Sequence, residues 1–428
     1  MSARRVAVTG MGVVSPLAIG SERHLQRLLA GESGALATTP EEARRHGCVL
    51  EARIPGFDRS ETIENRMLRK LLTTSAAFAV VAAGEALRDA GLAPGSADLS
   101  GVGVFAGSVC IDFNPEMFIP ALRESLGAGG GIDIGRFAKR GMQVIDPLFI
   151  VKTLPNGGVG GIAIEHRTTG PSLNVTNGPI SGLQAVSSAA RAIRAGDLEV
   201  ALAGAYDSML SMDSVAEHLV AGRLAADAER PGRACRPFDL HRQGYVLGEG
   251  AVFFLLESLD HAKGRSARVH GELLGAGQSM SPQAPAAREG SGGLLDAARA
   301  ALDMAECPEG RVDAVFGDGL AVEADDLLEA ETARRLFGGR EVAFTSATGS
   351  TGFTGAASGA LSLLHALSAL RSGTVPPLIG CEQVDPRCAM ALVREARALG
   401  PRRALVWSSD RGVKNAAVLV GAPGAVPA

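Results

Sequence analysis

The chain has 428 residues, 46% of them hydrophobic and 21% charged, with a formal net charge of −4 and a pI near 6.1. This composition supplies a large core and excludes a disordered chain, and the acidic balance argues against nucleic acid and anionic membrane as partners. The length allows two or three domains, or two fused halves of similar size.

The opening run MSARRVAVTGMGVVSPLAIG places two arginines before apolar residues. Thr9, Gly10 and Gly12 interrupt it and no A-x-A type cleavage site follows, so it predicts a first β-strand rather than a signal peptide. No apolar stretch reaches the ~18 residues of a spanning helix, and a soluble, cytoplasmic protein is expected. Cys48, Cys110, Cys235, Cys307, Cys381 and Cys388 form no C-x-x-C pair and read as reduced packing residues. MLRKLLTTSAAFAVVAAGEALRDAGL predicts one long helix closed by Gly91, and GVGVFAGSV a strand. The glycine-rich tracts GAGGGIDIG and NGGVGG predict insert loops and turns. Neither is followed by the G-K-[ST] of a phosphate loop, so no nucleotide site is expected.

SLNVTNGPISGL, residues 172–183, reads as a strand running into a sharp turn that opens a helix of small residues ending at Gly196. Such an elbow is where several enzyme folds mount a nucleophile, yet its apex here is Pro179. EVALAGAYDSM follows as a buried strand. The rhythm then recurs. AVFFLLES and ARVHGELLGAG are strands, GLLDAARAALDMA a helix, DAVFGDGL a strand and GAASGALSLLHALSAL a second small-residue helix. RALVWSSDRGVKNAAVLVGA closes the chain as a hairpin-like pair. Strands alternating with helices predict a parallel or mixed sheet covered on both faces, in two related α/β halves, 1–255 and 256–428.

Two stretches, GPSLNVTNGPISGLQAVSSAARAIRAGDLEVALAGAYDS and RPFDLHRQGYVLGEGAVFFLLESLDHAKGRSARVHGELLG, carry a family likeness. Arg236-Pro237-Phe238-Asp239, Arg242, Gly244, Val246, Gly248-Glu249-Gly250-Ala251 and Glu257 stand in the order of the β-ketoacyl synthases of the thiolase superfamily, which the chain resembles. VAVTGMGVVSP and IDPLFIVKTLPNGGVGGIAIEHRTTGPS match as well. The resemblance implies a thiolase-like fold, a duplicated αβαβα five-layer sandwich that dimerises through the strand leading into the elbow.

It also implies a cysteine at the elbow to carry the acyl chain and two histidines to assist decarboxylation and hold the enolate. Here the cysteine aligns with Pro179, the first histidine with Asp318 and the second with Gly352 or Phe353. An upstream lysine is replaced by Ala347, and the oxyanion loop reads DRGVKN, keeping only Gly412 and Asn415. Proline offers neither a thiol nor an N–H, phenylalanine has no proton to give, and an ionised Asp318 would repel an enolate. No histidine lies near Phe353 in sequence, nor near Ser181, which therefore reads as a small helix-capping residue rather than a substitute nucleophile. Asp318, Glu323, Asp325, Asp326 and Glu329 read as an acid-rich helix start rather than a metal cluster, and no metal or cofactor is expected.

The pattern is most similar to the chain-length factor of type II polyketide synthases. The resemblance implies a subunit without condensing activity that pairs with an active ketosynthase and shapes the tunnel for a chain carried on the phosphopantetheine arm of acyl carrier protein. It places the chain-length gate in CIDFNPEMF, with Cys110, Phe113 and Met117 on the tunnel. Two other readings stay open: a thiolase-fold acyltransferase or malonyl decarboxylase working through residues such as Asn177 and Asp318, and a scaffold that docks acyl carrier protein.

Overall fold

The computed structural model describes residues 4–92, 97–109, 118–281 and 292–425. Cys110, Phe113 and Met117 lie outside them. The opening apolar run forms β1 (Val6–Val14), every residue of it buried. Nine more strands follow: β2 (Gly103–Gly107), β3 (Ser172–Val175), β4 (Val200–Ser208), β5 (Leu247–Ser258), β6 (Gly271–Met280), β7 (Ala314–Gly317), β8 (Ala343–Ser346), β9 (Arg403–Asp410) and β10 (Lys414–Gly421). They run across one sheet in the order β8-β7-β9-β10-β6-β1-β5-β4-β2-β3. Two short strands, Leu36–Ala37 and Leu50–Ala52, attach at the start of β5.

The order holds a repeat. In the first half β1, β5 and β4 are antiparallel neighbours, and β4, β2 and β3 are parallel ones. In the second half β6, β10 and β9 are antiparallel neighbours, and β9, β7 and β8 parallel. β1 and β6 join the halves, with Val6 opposite Leu273. Each parallel step needs a crossover, and the helices provide it.

The helices that matter here are α1 (Ser21–Leu29), α2 (Thr74–Asp89), α3 (Gly157–His166), α4 (Ser181–Ala195), α5 (Met212–Val220), α6 (Gly292–Met304), α7 (Glu323–Phe337) and α8 (Ala357–Ser372). α2 and α3 cover the outer face of the first half, and α6 and α7 that of the second. α4 and α8 lie between the halves and share one core cluster with strands of both. The result is the duplicated αβαβα sandwich. α8 is buried on all sides from Ala357 to Leu370, as a central-layer helix must be. Small residues let the layers approach: a Cβ on Gly182 of α4 would sit 2.4 Å from the Ala356 carbonyl oxygen at the start of α8. Among the described residues no helix is long and apolar enough to cross a membrane, and the five described cysteines are unpaired and buried.

Two sequence expectations change. The single long helix is two, Arg66–Leu71 and α2, because Thr73 leaves helical geometry and caps α2 by accepting a hydrogen bond from the Ala76 N–H. NGGVGG is no loop but the first turns of α3. Its glycines are there for clearance: a Cβ on Gly158 would lie 2.3 Å from the Tyr206 ring, and one on Gly161 2.9 Å from Leu72 and Val80. Helix propensity disfavours each glycine by about 1 kcal/mol, and the close packing outweighs it.

Candidate functional site

β3 runs into a turn in which Gly178 takes a φ of +70° before Pro179 and the start of α4. Ser181 is fully buried, and its hydroxyl is engaged twice. It donates to the Gly178 carbonyl at 2.6 Å and accepts from the Asn177 N–H at 2.7 Å. Ser181 thus closes the turn and caps no N–H of α4, contrary to the sequence expectation. Asn177 in turn donates from its side chain to Gln184 at 3.0 Å. The elbow is built, and only its apex lacks chemistry.

A cavity of about 360 Å³ opens beside that apex. Gly178 and Pro179 form one wall, Phe353 another, and Asp410, Arg411 and Lys414 of the β9–β10 turn a third. Of the two candidates for the second histidine position, only Phe353 lines this space. Gly352 has a φ of +71°, and a Cβ there would lie 2.9 Å from Ala52 and from the Val246 carbonyl. That position has no room for a side chain.

Asp318 is not among the lining residues. Its carboxylate accepts from the Ser409 N–H at 2.7 Å, which anchors the end of β9. Burial, and then the neighbouring Glu329, push its pKa well above the ordinary carboxylate range. Glu329 accepts from the N–H groups of Asp318 and Gly319 at 2.8 and 2.7 Å, and from the Trp407 indole at 2.6 Å. Asp326 holds the N–H groups of Phe238 at 2.7 Å and Ala321 at 3.1 Å. These buried carboxylates satisfy backbone donors that would otherwise be orphaned, which is a structural role.

The turn aligned with the oxyanion loop is closed on itself. Gly412 N–H donates to Ser409 Oγ at 2.9 Å, and Val413 N–H to the Asp410 carbonyl at 2.9 Å. Asn415 accepts from Ser409 Oγ at 2.7 Å and donates to the Gly412 carbonyl at 3.1 Å. The Gly412 and Val413 N–H groups are thereby engaged within the turn and not free to meet an oxyanion.

The structure also corrects the expectation that no histidine stands near Phe353. His218, on α5, places its ring centroid 5.6 Å from that of Phe353. Tyr245 lies 4.9 Å from the same phenylalanine and pairs its hydroxyl with His218 Nδ1 at 2.7 Å. Arg223 Nε donates to the Tyr245 oxygen at 3.1 Å, while its guanidinium is paired with Asp325. Burial lowers the His218 pKa. Nothing periodic in the sequence joins these residues, and only the fold brings them to one wall.

Asp207, at the end of β4, ties the site together. Fully buried, it accepts from the Ala356 N–H at 2.7 Å, the Val109 N–H at 3.0 Å and Ser108 Oγ at 3.0 Å. One carboxylate thereby fixes the ends of β2 and β4 against the start of α8.

Residues 3–262 match the β-ketoacyl synthase N-terminal domain and residues 270–382 the β-ketoacyl synthase C-terminal domain. The chain belongs to the β-ketoacyl synthase family. The oxytetracycline polyketide putative β-ketoacyl synthase 1 of Streptomyces rimosus is 32% identical over 398 residues, covering 91% of this chain and 90% of that one. The actinorhodin polyketide putative β-ketoacyl synthase 2 of Streptomyces coelicolor is 32% identical over 419 residues, 97% and 98% of the two chains. The solved structure of the ishigamide ketosynthase/chain length factor is similar with a TM-score of 0.86 at 27% identity, covering 98% and 99%. The fold is therefore the thiolase-like one of ketosynthases and chain-length factors of type II polyketide synthases.

Proposed function

We propose that this β-ketoacyl synthase homologue is a chain-length factor without condensing activity. It pairs with an active ketosynthase and shapes the tunnel that receives the polyketide chain from acyl carrier protein. The observation that carries the reading is the elbow: fully formed and hydrogen-bonded, facing a cavity, and bearing Pro179, which has neither thiol nor N–H. Phe353 at the second histidine position and the engaged Gly412 and Val413 N–H groups of the 410–415 turn support it. The same reading divides the chain near residue 255 into N- and C-terminal ketosynthase-like halves.

The pairing rests on a second feature. β3 is an edge strand with one neighbour, and edges of this kind invite pairing. Much of the exposed apolar surface belongs to the segment leading to it, including Leu122, Ile134, Met142, Ile150, Leu154 and Leu173. Exposed apolar surface on this scale marks an interaction face. The partner is a ketosynthase whose own elbow keeps its cysteine, and Cys110, Phe113 and Met117 remain the proposed gate.

Co-expression with such a ketosynthase tests the reading. A one-to-one complex by native mass and size exclusion is expected, with condensation only in the complex. Phe113→Ala should leave the complex intact and lengthen the product by one or more extender units. Carbon dioxide release from malonyl-carrier protein by the chain alone would instead support the decarboxylase reading.

A further inference from the structure

The hydroxyl of Tyr245 stands between two nitrogens. Arg223 Nε, which can only donate, lies 3.1 Å from it, and His218 Nδ1 lies 2.7 Å away. A phenol carries one proton. With Arg223 donating into its oxygen, and no other acceptor paired with it among the described residues, that proton points to Nδ1. Nδ1 of His218 is then the acceptor, and the neutral ring carries its own proton on Nε2. Burial, which lowers the ring's pKa, keeps it neutral at pH 7.

His218 is only 6% exposed and is one of the residues lining the cavity. Among the described residues no acceptor is paired with its Nε2. His218 is one of the residues lining the space beside Pro179, and its Nε2–H, opposite the Tyr245 bond on the ring, is left free to donate to a ligand acceptor. The charges around the cavity are matched. Arg223 pairs with Asp325, Arg411 with Glu217 at 3.4 Å and Lys414 with Asp410 at 3.4 Å. Among the described residues lining the cavity no unpaired cation is left to hold an anion, and Pro179, Met209, Leu320 and Phe353 supply apolar wall. The volume, about 360 Å³, is at the small end of the range for small-molecule sites.

We propose that the cavity binds a small neutral ligand whose carbonyl oxygen accepts a hydrogen bond from His218 Nε2–H, with Tyr245 and Arg223 as positioning residues that fix the tautomer. The donor comes from α5, at neither of the histidine positions expected from the family resemblance. The inference goes beyond the pairing reading and does not need it, since one chain supplies every group involved.

Two measurements on the full-length chain alone test it. Long-range proton–nitrogen spectra of protein labelled with ¹⁵N-histidine should show one ring, absent in His218→Gln, protonated at Nε2 and bare at Nδ1 from pH 7 to 8. Tyr245→Phe should mix the tautomers of that ring. A charged ring at pH 7, or a proton on Nδ1, overturns the assignment. Binding is read with the butyryl thioester of N-acetylcysteamine, carrying a ¹³C carbonyl. His218→Phe should weaken it about tenfold and abolish the downfield carbonyl shift on binding, and His218→Gln, which keeps an N–H donor, should restore part of both. The matching thioether, which lacks the carbonyl, should bind equally to wild type and His218→Phe. The proposal fails if wild type does not bind the thioester, if butyrate binds as tightly, or if both His218 variants leave affinity unchanged. Failure to pair with a ketosynthase would not alter these results, so the two readings fall separately.

Discussion

Replacing Asp207 tests whether one carboxylate assembles the cavity. The side chain is fully buried and receives the Ala356 and Val109 N–H groups and the Ser108 hydroxyl. In Asp207→Ala both N–H groups lose their acceptor inside the protein, at about 1–3 kcal/mol each. The negative charge at the start of α8 is lost as well, worth about 0.3–1 kcal/mol. The sum is about 2–7 kcal/mol. Asp207→Asn costs less. Its amide can turn towards Ser108, whose hydroxyl reverses to accept, while its oxygen keeps the two N–H groups. What goes is the charge assistance, about 1 kcal/mol for each N–H bond, and the charge at the start of α8, about 2–3 kcal/mol in all. Urea unfolding of wild type and both variants gives the totals, and hydrogen exchange at the Val109 and Ala356 amides shows where protection is lost. Equal costs for the two variants, or less than about 1.5 kcal/mol for alanine, would mean that the donors have other means of satisfaction and that Asp207 does not assemble the cavity.

Pro179→Cys should restore a thiol and an N–H but no condensation by the chain alone, since Phe353 and Asp318 still stand at the two histidine positions. Measurable chain extension by that variant would contradict this account of the site. His24 and His365 are buried with their Nε2 atoms 2.7 Å apart, and burial, then Arg27, lowers the His24 pKa from 6.5 to about 3. Burial, then His24, lowers that of His365 too. The unfolded chain therefore binds more protons below pH 6.5, and stability should fall as pH drops towards 3, by about 1.4 kcal/mol per pH unit for each ring. Denaturation midpoints of wild type and His24→Gln/His365→Leu across pH 7 to 4 should converge, and parallel curves would count against it. Gly182→Ala gains about 1 kcal/mol of helix propensity but places a methyl 2.4 Å from the Ala356 carbonyl, so it should lower the melting temperature, and an increase would show that α4 and α8 can part freely.

The elements most legible in the sequence were those whose burial pattern is local. β1, the elbow strand, α4 with its Gly196 stop and the β9–β10 hairpin follow from alternation, small-residue runs and turn chemistry. NGGVGG misled because its glycines answer to Tyr206, Leu72 and Val80, contacts that no local pattern encodes. The elbow's empty apex was readable from Pro179 alone. The engagement of Asp318 was not, since its donor, Ser409, lies 91 residues away. His218, Tyr245 and Arg223 escaped for the same reason: they converge from α5, the turn after it and the approach to β5, and each alone is an ordinary polar residue. The lesson concerns range. Backbone form is encoded locally, whereas the protonation and pairing of a buried group are set by whatever the fold lays against it.

The interleaved strand order constrains how the chain is made. β9 and β10 insert between β7 and β6, so until they arrive β6 is paired only on its β1 side and β7 only on its β8 side. On a ribosome, residues 347–402 separate β8 from β9, an interval of roughly 3–11 s at ordinary synthesis rates. Throughout it the nascent second half holds a gap flanked by two open, apolar strand edges, while the first half, completed by β5, can already be closed. This half-built gap is where the chain is most exposed to strand invasion by its neighbours and most dependent on chaperones, and the vulnerability ends only when residue 421 is free to fold.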